Sequence, residues 1–229
     1  MRSEYDMGPI RRMDGDLTWE QRMTQFAHLG IPRKFLEKKL EDYAENIGED
    51  NYANVRLYVR EVAAMRERGL GLLLTGPYGV GKTGVACEVL KHAIRCGYAT
   101  SRFTTFSELL KMYTDGWRDE EQRELYRKFQ ECDFLCLDEF GNEHRGRTDF
   151  VSCVMNELVR HRTNERLPTV FTSNIREREI EELYGATVST ILFGPDFWVL
   201  DFRGGNYRQR EVEATARWIR ELRGGAVQE

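Results

Sequence analysis

The segment GPYGVGKT, from Gly76 to Thr83, has the G-x-x-x-x-G-K-[ST] spacing of a loop that cradles phosphate groups. Glycines let the backbone curl so that successive N–H groups converge on phosphate oxygens. A helix starting at the end of the loop adds its positive N-terminal end. Nucleotide contacts are therefore expected along Gly76, Pro77, Tyr78, Gly79, Val80, Gly81, Lys82, Thr83 and Gly84. The Lys82 ammonium would reach the β- and γ-phosphates, and the Thr83 hydroxyl would ligate Mg²⁺. A bare match can be a glycine-rich turn with an incidental lysine. Here it lies between a strand-like run, Gly71–Thr75, and a helix-like one, which is the context that phosphate binding needs.

Two further stretches carry what hydrolysis would require. DFLCLDEFG is an apolar run that ends in Asp138 and Glu139. In an open α/β sheet, ligands bind at the C-terminal ends of strands. Asp138 would hold Mg²⁺ through water, and Glu139 would polarise the attacking water as general base. LPTVFTSN ends another run in Ser173 and Asn174, and the Asn174 amide could position that water against the γ-phosphate. Singly, an acid pair or an asparagine at a strand end is an ordinary turn feature. Together with the loop they describe a nucleoside-triphosphatase that uses Mg²⁺, with Lys82, Glu139 and Asn174 as its catalytic groups; ATP as the nucleotide is what the resemblance described below implies.

The elements that must hold these groups are legible as alternating periods. Short apolar runs at 71–75, 99–105, 134–138, 169–172 and 198–202 alternate with helical spacings such as Val85/Ala86/Val89/Leu90 and Val151/Val154/Met155/Leu158. That alternation predicts βαβ units and a three-layer α/β domain around a five-stranded parallel sheet. Thr105 followed by Glu108 predicts a capping box. Upstream, residues 17–29 suit a short amphipathic helix capped by Thr18, and Asn51–Arg66 a second helix. No run approaches the ~18 apolar residues of a membrane span, and the first residues hold no apolar signal region. The five cysteines include no C-x-x-C, which suggests neither a disulfide framework nor a zinc ribbon, so a cytoplasmic protein with reduced thiols is expected. With a net charge of -4, contact with nucleic acid must come from a local patch.

From about Gly30 to Arg210 the chain resembles the AAA+ helicase loaders of the DnaC/DnaI type and the related IstB transposition helpers. The resemblance is carried by GIPRKFLEKKLEDY, GLLLTGPYGVGKT, FTTFSELL, FLCLDEFGNE, NELVRHRTNERLPTVFTSN and FWVLDFRGGNYR. The first and last are the more diagnostic, because the phosphate loop and acid pair are general to P-loop proteins. The resemblance implies a RecA-like AAA+ core with a minimal or absent lid, here at 31–203, preceded by an extension at 1–30 and followed by a C-terminal helix and tail at 204–229. It also implies a homo-oligomer joined through its ATP interfaces, contact with single-stranded DNA, and delivery of a replicative helicase, with no membrane partner. By position Asn174 matches sensor 1, and Arg208 lies near an arginine that such proteins aim at the nucleotide.

Two places depart from the family pattern. Members carry arginines in a short helix after sensor 1, one of which reaches a neighbour's ATP. Here that helix is YGATVSTILFG, with Thr187 and Ile191 at the expected positions. Such an arginine is worth ~10³–10⁵ in rate, so slow hydrolysis or a substitute donor follows. Arg162, Arg176 and Arg178 are the candidates, or else solvated charges. Upstream, a helicase-docking role would fall to Trp19, Met23 and Phe26, a stripe that could equally pack on the protein's own core. For DNA, Lys111, Tyr113, Trp117 and Arg118 interleave basic and aromatic side chains, as single-strand binders do. The C-terminal helix has an apolar side, Val212, Ala216, Ile219 and Leu222, expected to pack on the domain or to bind a partner. Three readings stay open: a helicase loader, a transposition helper acting on duplex DNA, and a nucleotide-gated adaptor with little hydrolysis.

Overall fold

The computed structural model describes residues 17–141 and 148–225. Residues 1–16 of the predicted extension, and Asn142 and Glu143 of FLCLDEFGNE, lie outside them. Five strands form one parallel sheet: β1 (Gly71–Thr75), β2 (Arg102–Thr105), β3 (Leu135–Phe140), β4 (Thr169–Ser173) and β5 (Phe197–Asp201), in the order β2-β3-β4-β1-β5. The predicted five-stranded α/β architecture is the one observed. Every residue of β1 is buried because helices cover both faces, which is why GLLLT reads as a continuous run without alternation. Strand β2 starts later than its apolar run, since the chain first turns at Gly97 (φ +96°) and Ser101 donates back to the Tyr98 carbonyl.

Two hydrophobic clusters make the outer layers. On one face, α1 (Trp19–His28), α2 (Ala44–Ile47), α3 (Glu49–Arg60), α4 (Val62–Arg68) and α5 (Lys82–Arg95) pack through Phe26, Tyr43, Val55, Tyr58, Val85 and Leu90. On the other, α6 (Phe106–Asp115), α7 (Glu120–Glu131), α8 (Thr148–Asn164), α9 (Glu177–Tyr184) and α10 (Ala186–Leu192) pack through Phe106, Phe129, Met155, Ile180 and Leu192. Helix α6 opens on the predicted Thr105/Glu108 capping box, and α1 on a second one at Thr18. The single helix expected over 51–66 is instead α3 and α4, broken at Glu61 (φ −98°, ψ 26°). The break folds the chain back, and the Tyr58 hydroxyl donates to the Leu70 carbonyl at 2.6 Å just ahead of β1.

The first end of the described chain decides between two alternatives, and the other corrects an expectation. Phe26 is fully buried and Met23 packs on the same core, while Trp19 is 61% exposed. The stripe is thus mostly the protein's own core. At the other end, α11 (Tyr207–Gly225) does not lay its apolar side on the domain: Val212 is 67% exposed and Leu222 56%. Only its first turns are tied down, by Tyr207 N donating to the Gly79 carbonyl at 2.7 Å and by ion pairs of Glu211 with Lys38 (3.2 Å) and Arg210 with Glu45 (2.7 Å). These contacts fix the direction in which the helix leaves the core. No described helix is long and apolar enough to cross a membrane.

Candidate nucleotide site

The loop between β1 and α5 curls as its glycines allow, with φ of +136° at Gly76, +81° at Gly79 and +105° at Gly81. At Gly76 a Cβ would stand 2.2 Å from the Phe202 carbonyl oxygen, so only glycine fits beneath the end of β5. Lys82 begins α5 and folds over the loop, donating to the carbonyls of Gly76 and Pro77 (both 2.8 Å) and to Asn174 Oδ1 (2.6 Å). Lys82 and Asn174, far apart in sequence, are therefore in direct contact. Burial, reinforced by the positive charge of Arg208 and opposed by Asp138, brings the Lys82 ammonium down to about 8.

That shift has a measurable sign. Below pH 8 Lys82 is charged and ready for phosphate; above it, nucleotide binding must draw a proton from solvent. ATP affinity is therefore expected to hold steady to about pH 8 and then fall by up to tenfold per unit, while Arg208→Ala moves the break upward. Equilibrium titrations from pH 7 to 10 check this, and a flat profile to pH 10 would contradict it.

The acid end is built by β3 and β4. Asp138 is 5% exposed and accepts hydrogen bonds on Oδ1 from Thr172 (2.5 Å) and Thr83 (2.9 Å). Burial raises its pKa, an effect resisted by these hydroxyls, by the Glu139 N–H and by the charge of Lys34. The Thr83 hydroxyl and the Asp138 carboxylate thus already converge, hard oxygen donors of the kind that suit Mg²⁺. They are the residues that would hold the ion, which would supply neutralisation of charge between the β- and γ-phosphates. Glu139 is exposed beside them because β3 bulges. The register jumps between Leu137 and Phe140, and Glu139 takes φ +60°, its N–H on Thr172 Oγ1 at 3.1 Å. A left-handed glutamate costs roughly 1–3 kcal/mol, strain of the kind found at functional sites. The bulge turns the carboxylate out of the sheet and into the cavity mouth.

Two distant segments complete a cavity of about 370 Å³. Residues 31–43 wrap α5, anchored by Lys91, which is 1% exposed, paired with Glu88, and donates to the carbonyls of Phe35 (2.8 Å), Leu36 (3.2 Å) and Lys38 (2.6 Å). They bring Lys34, Phe35 and Tyr43 to the wall; Tyr207, Arg208 and Glu211 of α11 continue it beside them. Of these only Arg208 is identified from sequence. The others lie inside the diagnostic stretches GIPRKFLEKKLEDY and NYR or just beyond them, so the signal was present without a role attached.

The family model for IstB-like ATP-binding proteins matches residues 18–192. The chain belongs to that family. Among its relatives, an ATP-binding protein of an insertion sequence in Mycobacterium tuberculosis is 31% identical over 149 residues, covering 63% of this chain and 58% of that protein. The replicative helicase loader DnaI of Bacillus subtilis is 28% identical over 115 residues, covering 50% of this chain and 36% of the loader. The chain thus spans about half or less of the length of these curated relatives. In structure it is similar to the DnaC helicase loader, with a TM-score of 0.65 at 18% identity over 75% of this chain and 99% of that one, a likeness of fold.

Within this IstB-like fold the candidate trans arginines separate. Arg162 is 1% exposed at the end of α8. Its guanidinium donates to Thr169 Oγ1 (2.8 Å) and to the carbonyls of Phe129 (3.2 Å), Gln130 (3.0 Å), Cys132 (3.0 Å) and Pro168 (2.8 Å). A side chain so enclosed cannot reach a neighbour's nucleotide, and its candidacy is withdrawn. Arg176 and Arg178 are exposed at the start of α9, Arg178 paired with Glu182 at 3.0 Å. In α10, Thr187 is exposed and Ile191 packs inward. Of the DNA candidates, Lys111, Trp117 and Arg118 are exposed. Tyr113 is instead packed among Trp117, Tyr126 and Phe150 with ring centroids 5.0–6.1 Å apart. The adjoining cleft also holds Glu108, Asp115 and Asp119, which oppose a phosphate backbone.

Proposed function

We propose that this protein is an ATP-hydrolysing loader that assembles with copies of itself on single-stranded DNA and delivers or remodels a hexameric replicative helicase. The reading rests on one observation above all: Lys82, Thr83, Asp138, Glu139 and Asn174, from three separate strand ends, line a single cavity and already contact one another in part. A binding loop alone would need neither a bulged glutamate nor a sensor in contact with the lysine. ATP binding would order the P-loop, Arg208 and Lys82; hydrolysis, with Mg²⁺ on Thr83 and Asp138 and water polarised by Glu139, would release the partner. Trp117 with Lys111 and Arg118 would meet the strand, and Arg176 or Arg178 of a neighbour would supply the charge that α10 lacks. The helicase assignment is supported by the similarity to the Bacillus loader.

A transposition helper is the second reading, favoured by the family model and by the mycobacterial relative from an insertion sequence. ATP turnover by the purified protein, alone, with single-stranded DNA and with duplex, separates the two. Single-strand stimulation of several-fold is expected for the loader. Stimulation by duplex only would transfer the assignment to the helper, and ATP binding without turnover under any condition would leave a nucleotide-gated adaptor.

A further inference from the structure

Tyr43 ends a short 3-10 helix, Leu40–Tyr43, and is 1% exposed. Its ring lies along the first turn of α5. A Cβ added at Gly81 would stand 2.9 Å from Tyr43 Cδ1, and one at Gly84 would stand 2.1 Å from Cζ and 2.2 Å from the hydroxyl oxygen. Gly84, expected as a phosphate contact, thus serves as the seat of an aromatic ring. Tyr43 and Gly84 both line the nucleotide cavity, and Tyr207 closes on the ring with centroids 4.9 Å apart. Within this packing the Tyr43 hydroxyl is shut off from solvent and has no hydrogen-bond partner. Burial pushes its pKa far up, so it keeps its proton and remains a donor. Buried hydroxyls are nearly always paired, and an unpaired one opposes folding. At the wall of a ligand cavity, the missing acceptor is one that a ligand can bring when it moves Tyr207 aside from the ring.

We propose that the Tyr43 hydroxyl donates a hydrogen bond to an acceptor on the nucleoside part of the bound nucleotide, which makes Tyr43 a specificity-determining residue of this site. The inference rests on the ATP reading of the cavity. The loop and Lys82 hold the phosphates, whereas the nucleoside needs contacts of its own. Tyr43 stands beside Gly81 and Gly84, where the phosphate loop becomes a helix.

Tyr43→Phe keeps the ring and its packing and removes only the hydroxyl. Binding of Mg-ATP and of Mg-tripolyphosphate is measured by calorimetry on both proteins, with the melting temperature of each ligand-free protein. ATP affinity is expected to fall about two- to tenfold in the variant, the worth of one hydrogen bond. Tripolyphosphate affinity should be unchanged, and the ligand-free variant should melt no lower than the wild type. Equal ATP affinity in the two proteins would overturn the inference. So would a parallel loss of both ligands with a lowered melting temperature, the mark of a merely structural hydroxyl. A wild type that bound tripolyphosphate as tightly as ATP would keep the phosphate site and remove the nucleoside contact, whereas one that bound neither would remove the ATP reading itself.

Discussion

Glu139→Gln is expected to slow ATP turnover by ~10²–10⁴, the usual worth of a positioned general base, while ATP affinity stays within a few-fold of wild type. Among the described residues the loop is held without the carboxylate: Lys82 by Gly76, Pro77 and Asn174, and Thr83 by Asp138. Gln matches its shape and loses only its basicity. Glu139 also occupies a left-handed backbone position at φ +60°, created by the β3 bulge, which has no evident purpose other than to aim the side chain. Phosphate release in single turnover, beside equilibrium ATP binding, reads the two quantities separately. Turnover within fivefold of wild type would place the base elsewhere. Loss of binding in step with turnover would mean that Glu139 serves the structure of the loop.

Arg162→Ala is expected to lower stability by roughly 3–5 kcal/mol, on the order of 10 °C in Tm, through the carbonyls that it orphans at about 1–3 kcal/mol each before relaxation. Phe129, Gln130 and Cys132 close the link from α7 to β3, and Pro168 and Thr169 open β4. The guanidinium therefore fastens the end of α7 to the start of β4 at the foot of the sheet. A chemical melt of the purified variant tests this. If Arg162 were the donor to a neighbour's ATP, the variant would melt like wild type and turn over slowly, and adding an inactive subunit that retains Arg162 would restore hydrolysis. Neither is expected. Arg176→Ala and Arg178→Ala, at exposed positions, are the variants in which that rescue should be sought.

The phosphate loop, the acid pair and the alternation of strands with helices were legible because each is written in local spacing. The loop needs glycine at fixed offsets, and a strand buried on both faces needs a continuous apolar run, as GLLLT supplies. The capping box at Thr105 and the cap at Thr18 were legible for the same reason, since donor and acceptor lie three residues apart. Sequence spacing carried less about helices: an apolar side on α11 or α1 is visible, but not whether anything is there to cover it. Phe26 found the core and Val212 did not, although both lie on amphipathic helices.

By itself, then, the sequence determined the presence of a nucleotide site, its topological place and the family. The tertiary structure alone decided which charges and hydroxyls serve that site, because burial and pairing arise where segments distant in the chain converge. Five acceptors from the end of α7 and the start of β4 enclose Arg162, the wrap of residues 31–43 on Lys91 carries Lys34 and Tyr43 to the cavity, and the extra residue in β3 turns Glu139 outward. None of these follows from residue type and spacing, since each depends on the free energy of packing one part of the fold against another.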